Sequence, residues 1–531
     1  MVNNNLKKDK DLQAEMKDYL FTHGRELGTS MNLLNYVWNE VIGKQLGYSF
    51  SQNHVYPYSA IGLQELNLAY HFPQIYWNTA CLTINAGADE QSDNNKTTQY
   101  GKVATAISDM QKRGANVSLP LINEAEFSFV PDEANNRIIY SLRGIYGIGD
   151  DLAKTLVELR PYTSMDDFYK KVVETKLIEP AGMIKLIKAG CFVELHNEDR
   201  KVTMEDYIKK YLLKPCAQLT FSQFAKMQEM NMIPDDLLEL SRIQNFKKYV
   251  LSNEREFSLF IDPKAKRGVP KCGYNDRHFV LDSMSMPYYQ QHFTEESVVG
   301  VKGEYYVISE KAFEKEVTKK VQPLVEWFGK TETLETYNNN LFNALWEKHA
   351  TGTISRWEME SLSFYYSEHE LINLNNTLYG VVDYFELPEV PESYDYYVRY
   401  VKGERREIPK FTISRLAGTI LDTDKNKNTV TLLTTTGVVN VKFNKGQFLH
   451  YNKEISARLD ANSDKKTILE RSWLKRGNRV FICGYRDDQI FRAYRYSDTV
   501  YNHTLSLITE INDDGTVTVI NDRVRVEDYL E

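Results

Sequence analysis

Gly144-Ile145-Tyr146-Gly147-Ile148-Gly149 decides how the rest of the chain is read. Two glycines flanking one apolar residue let the backbone turn tightly. Leu152, Leu156 and Leu159 then recur on one helical face, and Pro161 closes the segment. The spacing predicts a helix that starts at the glycines. Backbone N–H groups at such a start can hold a phosphate.

This is the logic of a helix-hairpin-helix element, which grips nucleic-acid backbone without reading sequence. The same residues also fit an ordinary glycine turn before a helix. They do not make a dinucleotide-binding fingerprint, because no following acidic residue stands in a strand-helix-strand context.

Upstream, residues 11–82 read as helices. Leu33, Leu34, Val37, Trp38, Val41 and Ile42 share three- and four-residue spacing, which predicts one apolar face. A helix is predicted from Val55 to Phe72, stopped by Pro73, and another over 102–114. Asn135-Asn136 marks a turn between extended segments, Glu126 to Val130 and Arg137 to Leu142. Downstream, helical segments are predicted over 235–252 and 309–349, with a linker near Glu386 to Pro391.

After residue 410 the periodicity becomes two. Strands are predicted over Ser414 to Leu421, Thr429 to Thr434, Val438 to Phe443 and Arg479 to Tyr485. Short strands in this order suggest a small barrel, with the OB-fold as first candidate. The fold class is therefore α+β and multidomain. The barrel region mixes Trp473, Lys475, Arg476, Arg479, Arg492 and Arg495 with Tyr485, Phe491, Tyr494 and Tyr496. Cations track phosphates and rings stack bases, so the mixture suits a single strand. A solvated strand face over buried aromatics is the alternative.

Bulk properties narrow the classes. The chain has 531 residues, enough for roughly three or four domains. With 65 basic and 73 acidic residues the net charge is −8, so nucleic-acid binding must come from local basic surfaces. Five dispersed cysteines without a C-x-x-C pair argue against a disulfide scaffold and for a reducing, cytoplasmic setting. No apolar run approaches the ~18 residues that span a membrane, and Met1 to Lys10 has no leader character. Asp422-Thr423-Asp424 lies in a polar run between strands and reads as a turn, where a two-metal site would place converging carboxylates on an apolar strand. Asp150-Asp151, Asp166-Asp167 and Asp235-Asp236 read as helix-start carboxylates.

Several segments, in order, resemble the C-terminal part of C-family DNA polymerases, the bacterial polymerase III alpha subunits. Gly47-Tyr48-Ser49-Phe50 with His54, Tyr58 and Ser59 is similar to that family's fingers motif, continued by Gln64 and Tyr70-His71-Phe72-Pro73. Lys112-Arg113-Gly114, Leu119-Pro120 and Ile122-Asn123 resemble the next segment. The hairpin at 144–149 follows, then Leu186-Ile187-Lys188-Ala189-Gly190-Cys191-Phe192. Glu360, Leu362, Phe364-Tyr365, Ser367 and His369 resemble the segment before the family's OB-fold. The chain departs from the family at Gln52 and Tyr146, where a lysine is usual.

The resemblance implies a domain order. Residues 1–125 would be the C-terminal part of the fingers, 126–200 the helix-hairpin-helix domain, 201–390 a connecting region, 391–500 the OB-fold and 501–531 a β-rich tail. It implies nucleotide (dNTP) contacts at Gln52, His54 and Tyr58. Duplex DNA would contact Gly147, Ile148, Gly149 and Lys154. Glu256, Phe257, Leu259 and Phe260 resemble a sliding-clamp peptide, with a buried strand as the alternative. No catalytic residue and no cofactor is expected in this chain. The palm aspartates and Mg2+ would sit on a palm-bearing partner chain, making this part of a split polymerase such as a phage encodes. A non-catalytic DNA- and clamp-binding accessory protein is the alternative.

Overall fold

A computed structural model describes residues 9–43, 52–88, 98–252, 255–256, 277–401, 404–458, 466–494 and 504–529. The chain divides into two compact units, 1–160 with 358–531, and 161–357.

The first unit opens with helices whose starts are set by capping side chains. Asp9 accepts from the amides of Asp11 and Leu12 at the start of Lys10–Glu26, and Ser30 accepts from Leu33 at the start of Met31–Tyr36. The predicted apolar face over 33–42 is only partly used, because Leu34 is buried while Leu33 and Val41 are exposed. Helix Gln52–His71 stops at Pro73 as expected, and Gln74–Ala86 ends at Gly87 in the left-handed region. Helix Tyr100–Lys112 leads into a small three-stranded sheet. There Asn116–Ser118 runs parallel to Arg137–Ile139, which pairs antiparallel with Val130–Asp132.

The barrel follows from the period-two pattern. Its strands are β1 (Ser414–Asp424), β2 (Thr429–Leu433), β3 (Val438–Lys442), β4 (Arg479–Asp487) and β5 (Ile490–Ala493). They run in the order β1-β2-β3-β5-β4, and β4 pairs back onto β1 to close the barrel. Only β3 and β5 are parallel. Helix Lys445–Asn452 lies in the crossover between β3 and β4. A closed five-strand barrel of this kind fits the OB-fold. Alternate residues Leu416 and Ile420, Val430 and Leu432, Val439 and Val441, Val480 and Ile482 fill its interior.

Two segments that the sequence set apart are attached to the barrel. The tail set apart at 501–531 is part of the barrel sheet. Its strands β6 (Leu505–Ile511) and β7 (Val517–Ile520) extend that sheet, with β6 pairing antiparallel to β4. The segment read as a linker at 386–391 is fastened to the barrel. Arg486 donates to the Leu387 carbonyl at 2.8 Å and to Glu389 at 3.0 Å. Which strand or arginine each segment attaches to is set by tertiary pairing, and its own residues do not name that partner.

The second unit is mainly helical, with a four-stranded sheet in the order Arg255–Glu256, His278–Val280, Tyr305–Ser309, Val298–Lys302. Helices Asp235–Val250, Glu310–Lys320, Gln322–Phe328 and Thr331–His349 fall within the expected helical segments. Two apolar clusters support it, one around Phe246, Phe279, Tyr289 and Phe313, the other around Phe224, Leu324, Phe328 and Tyr337.

Candidate nucleic-acid interface

The hairpin is built as its glycines suggested. Gly147 has φ +83°, a conformation that disfavours any side chain with a Cβ. Gly144 is needed for a different reason: a Cβ there would lie 2.7 Å from Ser141 Oγ and 3.0 Å from the Tyr140 ring. Ile145 and Ile148 are buried and anchor the turn. Gly149 is the N-cap of helix Asp150–Glu158, with no side chain to cap it, and a Cβ there would meet open space. Asp150 and Asp151 occupy the first turn, and Arg143 pairs with Asp150. Lys154 is exposed one turn further on, its ammonium 5.3 Å from the centre of the Phe127 ring.

One arginine reaches from the barrel to the hairpin. Arg476, in the approach to β4, lies between two rings, 4.4 Å from the centroid of Tyr146 and 4.4 Å from that of Tyr100. It donates to the Glu360 carbonyl at 2.9 Å and to Ser363 Oγ. The Tyr146 amide donates to the Ser361 carbonyl at 2.8 Å, and the Tyr140 hydroxyl to the Leu362 carbonyl at 2.8 Å. The segment 358–370 is thus the strap between hairpin and barrel.

Residues of that strap are buried fasteners. The Glu358 carboxylate accepts from the amides of Tyr366 and Ser367 and from Ser367 Oγ, at 2.8–2.9 Å. The Tyr365 hydroxyl bonds Thr419 Oγ1 on β1 at 2.8 Å. His369 Nδ1 accepts from the Leu371 amide at 3.0 Å, leaving Nε2 to donate to the Leu433 carbonyl at 3.1 Å. Burial holds the His369 imidazole down to about 4, so it is neutral.

Beside Arg476 a cleft of about 840 Å³ opens, lined by Tyr100, Asp422, Lys425, Glu454, Lys475 and others. Asp422 and Asp424 are a correction: read from sequence as a turn, they are the last residues of β1, paired with Thr431 and Thr429 of β2, and the turn follows at 425–428. Asp422 accepts from the Thr423 amide at 2.7 Å, and Asp424 from the amides of Asn426 and Lys427 at 2.9 and 3.1 Å. Among the described residues no group of three or more His, Cys, Asp or Glu converges as metal ligands would.

The single-strand residues expected from sequence scatter. Lys475 is exposed in the cleft. Arg476 is the pin just described, and Arg479 pairs with the buried Glu370 at 3.0 Å. Arg492 is paired with Asp487. Trp473 is a correction: it is 1% exposed, donates to Glu470 at 2.7 Å and stacks on Tyr451, so its ring offers no face to a base. Arg495 lies outside the described residues.

The fingers residues share one helix. His54 and Tyr58 stand four apart on Gln52–His71, hence on one face, and both are exposed; Gln52 begins that helix. In the clamp-like peptide, the backbone of Glu256 is in an edge strand, while Phe257, Leu259 and Phe260 lie outside the described residues. Sequence reasoning missed Tyr100, Ser363 and the buried Arg523. Arg523 donates to Glu470 and to the carbonyls of His450, Tyr451, Lys453 and Arg471, locking helix Lys445–Asn452 onto the barrel.

A family model described as a helix-hairpin-helix motif matches residues 114–202. The chain is 39% identical over 530 residues to a probable DNA polymerase, YorL, of Bacillus subtilis (strain 168), and equally to a DNA-directed DNA polymerase of Bacillus phage SPbeta. The alignment covers 98% of this chain and 38% of each relative, so the chain spans about two fifths of their length. It is 28% identical over 229 residues to the DNA polymerase III alpha subunit of Aquifex aeolicus (strain VF5), covering 42% of this chain and 17% of that protein. The resemblance to C-family DNA polymerases is thereby borne out. No described helix is long and apolar enough to cross a membrane.

Proposed function

We propose that this chain, whose relatives are DNA polymerases of the C family, supplies fingers, duplex grip and single-strand guidance for template-directed DNA synthesis. The observation that carries this is helix Gln52–His71, exposed at every position from 53 to 71 although Val55, Tyr58, Ile61, Leu63, Leu66 and Leu68 are apolar or aromatic. A helix with that much apolar surface is stabilised chiefly by a surface that covers it. The cover is the palm-bearing part of the polymerase, in keeping with relatives much longer than this chain.

In this reading His54 and Tyr58 close on the incoming dNTP, with Gln52 at the head of the same helix. The hairpin at 147–149 and Lys154 hold duplex backbone behind the site. Lys475 and Arg492 meet the single strand at the barrel. Catalytic carboxylates and their Mg2+ belong to the palm, on a partner chain, and the peptide beginning at Glu256 engages a sliding clamp.

The test is primer extension with purified components. This chain alone is expected to extend no primer, and to do so once a palm-bearing chain is added. Robust synthesis by this chain alone, or no gain from any palm-bearing partner, overturns the proposal.

A further inference from the structure

Just before the barrel the chain forms an element that none of the motifs announced. Ser393–Val401 and Glu404–Phe411 pair antiparallel, in register from Asp395 opposite Lys410 to Val401 opposite Glu404. This ribbon joins no other described sheet. Nine residues of strand reach ~30 Å. At its root the Thr412 amide donates to the Glu392 carbonyl at 2.8 Å, and the Phe411 ring lies 4.5 Å from Tyr485 on β4.

Beyond the root the ribbon stands in solvent. Tyr396 and Tyr400 are 58% and 71% exposed. The register puts Tyr396 with Pro409, Val398 with Glu407 and Tyr400 with Arg405 on one face. Tyr397, Arg399 and Arg406 share the other, with Arg399 directly opposite Arg406. Like charges so placed repel, and Arg406 is offset by Glu404 at 3.1 Å. Residues 393–411 carry five basic and three acidic side chains, on a chain whose net charge is −8. Two-stranded ribbons are marginal in water without a partner.

We infer that this ribbon is an arm for single-stranded DNA, with Tyr396 and Tyr400 stacking bases and Arg405 meeting the phosphate between them. Aromatic rings on one face with a guanidinium beside them match the stacking-and-charge chemistry of single-strand binding. A duplex keeps its base faces stacked and offers these tyrosines nothing. The excess positive charge complements a polyanion, and the root on β4 lets a bound strand continue onto the barrel. The inference rests on the proposal that this chain handles DNA.

The experiment is fluorescence anisotropy of the full chain with labelled oligothymidine, and with a duplex of equal length. Tyr396→Ala/Tyr400→Ala is expected to weaken oligothymidine binding at least about tenfold. Tyr397→Ala, on the other face, is expected to leave it within twofold, and Arg405→Glu to flatten the salt dependence. Melting of all variants should match the parent, because these side chains are exposed. The inference is overturned by oligothymidine affinity that is absent in the parent, unchanged in the double variant, or equally lost in Tyr397→Ala. Its failure is separable from that of the polymerase proposal. Normal extension with a palm-bearing chain alongside an inert ribbon removes only the arm, whereas the expected binding losses without any extension remove only the polymerase reading.

Discussion

The guanidinium of Arg476 lies 4.4 Å from the centroid of the Tyr146 ring, so the hairpin and the barrel share one cation. Tyr146 stands where the family resemblance leads one to expect lysine. The positive charge absent from the hairpin's own sequence is present beside it, delivered from the approach to β4, and held there by Tyr100, Glu360 and Ser363.

Removing that pin should loosen the first unit. Arg476→Ala loses charged hydrogen bonds and two ring contacts, for an expected cost of about 3 kcal/mol. Arg476→Lys should recover little, because an ammonium cannot fill a planar fork between two rings. Urea unfolding followed by circular dichroism checks both; parent-like stability in the lysine variant would contradict the geometry.

His369 gives a pH signature. Its folded value of about 4 lies below the ordinary histidine range, so the unfolded chain binds more protons as pH falls. Its contribution is fully present above about pH 6.5 and is lost as pH drops towards 4, at most about 3 kcal/mol. His369→Gln should flatten the dependence of stability on pH across that window. An unchanged slope in the variant would assign the pH dependence elsewhere.

Arg523 holds a buried carboxylate and four backbone carbonyls. Arg523→Ala leaves Glu470 charged and poorly partnered, with an expected loss of about 3–5 kcal/mol. Trp473 lies beneath it, 5.4 Å from guanidinium carbon to ring centroid, so near-ultraviolet dichroism should change with stability. Retention of both would show that the clasp is dispensable.

Leu63 and Leu66 are exposed on helix Gln52–His71. Leu63→Gln/Leu66→Gln should change the stability of the isolated chain by no more than about 0.5 kcal/mol per site. The same variant should lose binding to a palm-bearing chain, measured by co-purification and titration. Destabilisation of the isolated chain would mean that this helix is already covered.

Gly147→Ala forces a Cβ into the left-handed region, at about 1–2 kcal/mol. Duplex affinity should fall to a similar degree for every DNA sequence, since a backbone grip reads none. A sequence-dependent loss would assign the hairpin a different role.

Much of this molecule was legible because its signals are local. Period-two alternation placed β1 to β4 within a few residues, and Pro73 and the glycines at 144–149 ended or turned their elements by backbone sterics alone. Asp422-Thr423-Asp424 reads as a turn but ends β1, because pairing with β2 carries the strand past its last apolar residue; the turn itself is 425–428, where Asp424 accepts from the amides of Asn426 and Lys427. The ribbon at 393–411 was not read: tyrosine, arginine and glutamate alternate there without the apolar face that marks a half-buried strand.

The sequence by itself determined a glycine hairpin before a helix, a small β-barrel and a family resemblance, each written in neighbouring residues, while the pairing of β4 with β1 that closes the barrel is tertiary. Only the tertiary structure decided which cations face solvent. Arg476, Arg479 and Trp473 looked like one binding surface, yet they are occupied by Tyr146, Glu370 and Glu470, partners that in the first two cases lie more than a hundred residues away. Charge and aromaticity are visible in a chain, but the groups that neutralise and bury them are chosen by packing.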